Sequence, residues 1–381
     1  MAAEVLSAGG VAVTVYDRMP SVGRKFLLAG RGGLNLTHSE RLDIFLSRYG
    51  AASAHLRLML EAFTPRALID WADTLGAQTF TGSSGRIFPK AMKASPLLRA
   101  WLGRLNRQNV LFRLRHDWRG WSDSALRFHT PAGDIADRPD VTVLALGGAS
   151  WPNLGADGGW TTLLQQKGVK ITPLRPANMG FSVSWNELFR TRFAGQPLKN
   201  VKLHFNGHTS RGDVMLTRYG LEGGAVYALS SVLREALSGV CPIALDIDLR
   251  PDLSQQQISS RLARPRGKES LANFLRKSVG LSSVETNILR ETGTPPERLK
   301  SIPVMLTGHQ PITRAISTAG GISFDALDDA LMLRAIPNTY AIGEMLDWEA
   351  PTGGYLLQSC FSTAVFCARA ILARTDTRAR P

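Results

Sequence analysis

Residues 340–358 read Y-A-I-G-E-M-L-D-W-E-A-P-T-G-G-Y-L-L-Q, and the fold turns on this stretch. The apolar run Tyr340-Ala341-Ile342 ends in Gly343 and two acids, Glu344 and Asp347. The Gly353-Gly354 pair then opens an apolar segment that reads as a helix to about residue 373. A strand ending in glycine ahead of a helix is the βα unit of an open α/β sheet, where ligands lie beyond the carboxyl ends of the strands. The N-terminus of such a helix has backbone N–H groups without intrahelical partners and carries positive dipole potential. That suits a phosphate or the electron-rich N1/O2 edge of a reduced flavin, and carboxylates just before it suit ribityl or ribose hydroxyls. This strand and helix are too short to make a domain, so they complete one begun elsewhere in the chain.

The N-terminal part supplies that beginning. Residues 1–8 read as a short helix, Gly9-Gly10 as a turn, and residues 12–16 (A-V-T-V-Y) as a buried strand ending at Asp17. In dinucleotide folds an acid at that position accepts hydrogen bonds from ribose hydroxyls, about 20 residues after a glycine fingerprint. Counted back from Asp17, the first strand and its GxGxxG are missing, and the spacing places the natural start about 15–20 residues upstream. Taken alone, Asp17 also reads as an ordinary strand-end turn residue. Residues 30–37 (G-R-G-G-L-N-L-T) let backbone approach a flat or phosphorylated ligand, with Arg31 adding a cation, although a surface loop fits the same letters. The apolar run of residues 141–146 (V-T-V-L-A-L) leads into Gly147-Gly148, a ligand-side turn or a plain tight turn.

Between these segments, residues 41–76 and 94–108 carry helical periodicity, and strands fall near residues 110–116 and 125–130 around Pro131-Ala132-Gly133. Residues 179–250 are short alternating runs broken by Gly and Asn; residues 251–310 are polar and helical. The expected architecture is therefore a discontinuous α/β domain over residues 1–178 and 311–381, carrying a β-rich insert (179–250) and a small helical insert (251–310).

Bulk properties narrow the function class. The 381 residues are 44% hydrophobic and 20% charged, as in globular proteins with real cores. No run of 18 apolar residues occurs, which argues against a membrane span, and no basic region precedes the first apolar residues, which argues against a signal peptide. Cys241, Cys360 and Cys367 form no CxxC or paired framework; three scattered thiols suit a reducing cytoplasm and not a metal site. The net charge is +14, but arginines are dispersed with no block of five or six cations. That weighs against nucleic acid and suits an anionic cofactor equally well.

Several segments together resemble the bacterial flavoproteins of the HI0933-like type, NAD(P)/FAD-dependent oxidoreductases, and within them an uncharacterised subfamily. They are G-R-K-F-L-L-A-G-R-G-G-L-N-L-T (23–37), G-R-I-F-P-K (85–90), L-A-L-G-G-A-S-W-P (144–152), M-L-T-R-Y-G-L-E-G (215–223), T-A-G-G-I-S (318–323), Y-A-I-G-E-M-L-D (340–347) and T-G-G-Y (352–355). The resemblance implies a two-dinucleotide-binding, Rossmann-like fold with FAD extended across it. It places Asp17 near the adenosine ribose and Arg24 and Lys25 near the phosphates. Gly30, Arg31, Gly32, Gly33 and Asn35 would approach the pyrophosphate and flavin, and Gly147 and Gly148 would line the cofactor path. Thr318 to Gly321, with Gly320 and Gly321, would sit close to the ring. Gly343, Glu344 and Asp347 would approach the ribityl–pyrophosphate region, and Gly353, Gly354, Tyr355 and Leu357 the N1/O2 edge. Where family members often carry Arg-Cys-Asn this chain has Gly33-Leu34-Asn35, which excludes a cysteine role there.

The implied activity is hydride transfer from NAD(P)H through the flavin to a small-molecule acceptor. Alternatives are a flavin- or nucleotide-binding protein without turnover that associates with RNA, and an inactive truncated chain. No second GxGxxG follows a strand; residues 155–159 (G-A-D-G-G) imitate one and read as a loop, so the nicotinamide is a transient donor. Candidate proton donors by residue type are Tyr355, Lys90 and Arg86. His309 reads as a domain-junction residue.

Overall fold

The computed structural model describes residues 1–28 and 32–378, so Gly30 and Arg31 lie outside the described residues. The chain divides into two compact units, Met1–Arg175 with Ser317–Pro381, and Pro176–Ile316. In the first unit, Thr14–Asp17 pairs in parallel with Leu111–Leu114, and Thr142–Leu144 with Thr339–Ala341. Parallel neighbours need long crossovers, and the crossover after Asp17 carries helices. The stretch 41–76 breaks into Leu42–Ser47, Ser53–Ala62 and Pro65–Thr74. One break is at Gly50, which takes φ +52°. The other is at Thr64, whose hydroxyl accepts from the Ala67 N–H at 3.2 Å ahead of Pro65, a helix-start pattern readable in the sequence. The run 141–146 pairs only over Thr142–Leu144, because Gly147 at φ +72° turns the chain away from the ladder.

The closing helix Tyr355–Arg378 ties this unit together. Phe361 and Val365, one turn apart, enter a core with Leu36, Phe63, Leu68 and Trp71. Ala364, Ala368 and Ile371 enter another core with Leu6, Leu56, Leu60 and Tyr340. A helix that feeds two cores is apolar over much of its circumference. The segment Tyr355–Thr375 is consequently long and apolar enough to cross a membrane by length and composition, which a search for an unbroken apolar run does not register; 56% of its most apolar window is buried inside the protein. The helix Ala2–Ala8 packs beside it, and Gly9 lies where a Cβ would sit 2.6 Å from Leu372.

In the second unit six antiparallel strands close a barrel, in the order Phe181–Val183, Gly220–Glu222, His208–Leu216, Pro197–Phe205, Ile243–Asp248 and Ile302–His309. Leu203 and Phe205, Val214 and Leu216, Leu245 and Ile247, and Val304 and Leu306 all point inward at every second position, the period a half-buried strand imposes. The helices Gln255–Leu262, Leu271–Val279 and Ser283–Glu291 start at serine caps, two of them full capping boxes. The stretches read as two inserts, residues 179–250 and 251–310, lie in this one unit because they share a core: Ile258, Phe274, Leu275 and Ile288 cluster with Leu245 and Ile247. Arg250 reinforces the join, donating to both Glu285 carboxylate oxygens at 2.8 and 3.0 Å and to the Val279 carbonyl at 2.7 Å.

Leu60 is fully buried between the helix Ser53–Ala62 and the closing helix. Leu60→Ala is expected to cost about 2–5 kcal/mol, read as a lower urea midpoint, whereas the half-exposed Phe80→Ala shifts it by less than about 1 kcal/mol.

Candidate cofactor site

The site is built on the mouth of the closing helix. Gly354, at φ +94°, brings the helix start so close to the preceding segment that a Cβ there would lie 2.5 Å from the Thr37 Cα. Residues 33–37 are held from the other side by backbone bonds from Leu34 N–H to the Met92 carbonyl and from Leu36 N–H to the Ile87 carbonyl. Gly33, at φ +92°, has no room for a Cβ, which would lie 2.8 Å from the Met92 carbonyl oxygen. At this junction three buried polar atoms, Asn35 Oδ1, Thr37 Oγ1 and Gln358 Oε1, have no hydrogen-bond partner. Each such atom costs about 1–3 kcal/mol if left so. Together with the unpaired N–H groups of the first helical turn, they offer a flat, polar-edged ligand both donors and acceptors. The residues present therefore fit the isoalloxazine edge of a flavin dinucleotide.

Behind the mouth a buried carboxylate joins several segments. Glu344 accepts from Lys25 Nζ at 2.5 Å and from the Thr318 N–H at 3.1 Å. Lys25 also donates to Ser150 Oγ at 2.8 Å, and Thr318 Oγ1 accepts from the Ala149 N–H at 2.9 Å. Gly148 lies against the Thr318 side chain, 2.2 Å from its Oγ1 if a Cβ were added, and Gly147 lies near Glu344. Lys25, Gly147, Gly148, Thr318 and Glu344 thus converge. Burial, helped by the negative Glu344, pushes the Cys360 thiol up to about 12, so it stays protonated.

Sequence reasoning missed a second cluster. The Tyr355 hydroxyl donates to Glu40 Oε1 at 2.7 Å, and Arg48 donates to both Glu40 oxygens at 3.1 and 2.8 Å. The His38 ring stacks on Tyr355 at 5.6 Å, and the Tyr49 hydroxyl donates to the Tyr355 carbonyl at 2.8 Å. Burial opposes charge on Glu40, but the hydrogen bonds from Arg48 and Tyr355 prevail and hold its carboxyl below the ordinary value. Burial and then the Glu40 carboxylate push Tyr355 well above the usual tyrosine range. Tyr355, considered above as a proton donor, thus has its hydroxyl proton hydrogen-bonded to Glu40. The available signal was H-S-E (38–40) directly after N-L-T.

The remaining candidates are spread. Asp17 Oδ1 accepts from the Met19 N–H at 2.8 Å, and burial raises its carboxyl despite Arg18 and Arg24. Asp347 accepts from Thr172 Oγ1 at 2.6 Å. Gly320 and Gly321 are required by chain packing, since Cβ atoms would lie 2.2 Å from the Pro173 carbonyl oxygen and 2.4 Å from that of Met345. Gly353 abuts the Tyr355 ring, Leu357 is half-buried, and Gly32 is exposed with open space around it. Lys90 is exposed; Arg86 is half-buried on the strand Arg86–Pro89. His309 belongs to the second unit, at the end of a barrel strand, with Nδ1 3.0 Å from the Gln310 carbonyl. Among the described residues no group of three or more His, Cys, Asp or Glu could hold a metal.

A parallel α/β unit that opens such a mouth beyond its strand ends has the Rossmann-like FAD-binding architecture, and the class is that of the FAD-dependent oxidoreductases. The chain belongs to the HI0933-like family, whose Rossmann-domain model matches residues 1–370. It is 27% identical to the ribosomal RNA dihydrouridine synthase of Escherichia coli (strain K12), over 96% of this chain and 93% of that protein. It is 24% identical to the 3-dehydro-bile acid delta(4,6)-reductase of Clostridium scindens, over 97% and 94%. A flavocytochrome c3 fumarate reductase in its open conformation shares the fold, with a TM-score of 0.50 and 14% identity over 100% of this chain and 76% of that one.

Gly354→Ala should weaken FAD retention by at least about tenfold, equivalent to about 1.4 kcal/mol, measured as bound flavin per chain. Gly103→Ala, at a half-buried helical position with only the Arg107 side chain nearby, should leave it unchanged. Glu40→Gln tests the second cluster. Because the folded Glu40 pKa lies below its ordinary 4.5, its contribution to stability is complete above 4.5 and is lost as pH falls through the folded value. Urea midpoints of wild type and E40Q should therefore differ at about pH 6 and converge towards about pH 3; a gap independent of pH would refute the assignment.

Proposed function

We propose that the protein is an NAD(P)H-dependent reductase that saturates a carbon–carbon double bond conjugated with a carbonyl, and that this bond lies in a uracil ring of RNA. The observation that carries the reading is that relatives aligned over nearly the whole chain are named for dihydrouridine synthesis in ribosomal RNA and for delta(4,6) reduction of a 3-dehydro bile acid. Both names denote the addition of two hydrogens to an unsaturated, carbonyl-polarised carbon skeleton. The net charge of +14 is compatible with a polyanion, since a summed positive field concentrates RNA near the protein, and this reading departs from the expectation that the dispersed arginines weigh against nucleic acid.

When bound, FAD supplies the two-electron step, from a reduced nicotinamide to the substrate. The chain's own residues bind and orient. In this reading Asp17 offers Oδ2 to the adenosine ribose, Oδ1 being engaged, and Arg24 lies towards the phosphates. Lys25 holds Glu344 in place for the ribityl–pyrophosphate region, and Gly147 and Gly148 line the cofactor path. Asn35, Thr37 and the N–H groups of residues 355–357 meet the N1/O2 edge.

A second reading, a small-molecule conjugated ketone as acceptor, is favoured by the bile-acid relative. The flavin-loaded protein is incubated with NADH or NADPH and deproteinised ribosomal RNA, and the digested nucleosides are weighed by mass spectrometry. A nicotinamide-dependent nucleoside two hydrogens heavier than uridine is expected. Bleaching of the flavin with unchanged RNA, and loss of the ultraviolet band of a conjugated steroid ketone instead, would replace this reading by the second.

A further inference from the structure

The second unit exposes six cations within one short stretch. Arg261 lies in the last turn of the helix Gln255–Leu262, Arg264, Arg266 and Lys268 lie in the connection, and Arg276 and Lys277 lie in the last turn of Leu271–Val279. Glu269 is the only acid between residues 261 and 277, leaving a local excess of five positive charges. The connection is folded onto the following helix and not splayed into solvent. Arg264 donates to Ser278 Oγ at 2.9 Å and to Glu269 Oε2 at 3.1 Å, with its guanidinium 4.8 Å from the Phe274 ring centre. Lys277 donates to the other Glu269 oxygen at 2.9 Å. One carboxylate therefore gathers cations from the connection and from the helix end.

Helix-dipole compensation accounts for Arg261, Arg276 and Lys277, which sit at C-terminal turns. It does not account for Arg266 and Lys268, which lie outside both helices. Arg261, Arg266, Lys268 and Arg276 have no ion-pair partner among the described residues. Concentrating unpaired like charges in one stretch of 17 residues is unfavourable for the protein alone and favourable once a polyanion neutralises them. Guanidinium forks match phosphate oxygens in pairs. No aromatic side chain between residues 261 and 277 is exposed for base stacking, Phe274 being buried, so the chemistry is that of backbone contact without base readout.

We propose that this face of the second unit binds the phosphate backbone of substrate RNA, a docking surface distinct from the residues that fit the cofactor. The inference rests on the reading of RNA as substrate. The test uses the full flavin-loaded chain and a transcribed ribosomal RNA fragment. One variant carries Arg261→Gln, Arg266→Gln, Lys268→Gln and Arg276→Gln. A charge-matched control carries Arg99→Gln, Arg107→Gln, Arg138→Gln and Lys167→Gln, all exposed cations of the first unit.

At about 0.15 M salt the first variant should bind RNA about a hundredfold more weakly. Its plot of log affinity against log salt should flatten by about 2–3, at about 0.7 per lost contact to a single strand. Flavin bleaching by NAD(P)H and the unfolding midpoint should be unchanged in both variants. Equal weakening in the two variants, or none in the first, overturns the docking surface while leaving the RNA reading intact. Failure of the unaltered protein to bind RNA at all removes the RNA reading and the docking surface with it. Binding to phosphatidylglycerol vesicles that is lost in the first variant, with RNA binding retained, reassigns the face to a lipid surface.

Discussion

The close approach of Gly354 to the Thr37 backbone is the constraint on which the cofactor unit depends. A helix can begin against another chain segment at that distance only where no Cβ intervenes and where φ is positive, and both conditions select glycine. The contact puts the free N–H groups of the closing helix beside the unpartnered Asn35 and Thr37 atoms, so one steric fact produces the polar mouth. The same helix enters two apolar cores, one containing Phe361 and one containing Ala368. Its start cannot move without disturbing both, and the mouth is thereby preorganised at the end of a rigid element.

Two carboxylates near this mouth are handled differently. Glu344 is buried and held by one lysine and one backbone N–H, so it is a fixed link between the strand ends. Glu40 is less buried and is kept charged by the Arg48 guanidinium together with the Tyr355 hydroxyl. The cost of that arrangement is the acidity of Tyr355: a phenol whose proton is shared with a neighbouring carboxylate gives it up less readily than in water. The partner of a residue type suited to proton transfer thus sets how readily it gives up its proton, and the type alone could not reveal this.

The second unit separates shape from charge. Its barrel and helices share one apolar core, while the connection Arg264–Lys268 contributes little apolar burial and carries unpaired cations. Segments that do not contribute to the core are free to carry functional charge, because their side chains are not needed for packing.

Several features were legible in the residues themselves. Alternating runs marked residues 179–250 as β-rich, polar helical patterning marked residues 251–310 as helices, and Gly353-Gly354 before an apolar run marked the helix mouth. These are local signals, set by φ preference and periodicity within a few residues. The convergence of Lys25, Ser150, Thr318 and Glu344 was not legible there, because no local rule relates residues so far apart in the chain. Tertiary structure alone decided that Gly320 and Gly321 serve chain packing, that Tyr355 belongs to Glu40, and that residues 179–250 and 251–310 share a unit. Each depends on what lies across a contact rather than along the chain: a carbonyl 2.2 Å from a missing Cβ, a carboxylate 315 positions away, a common apolar core.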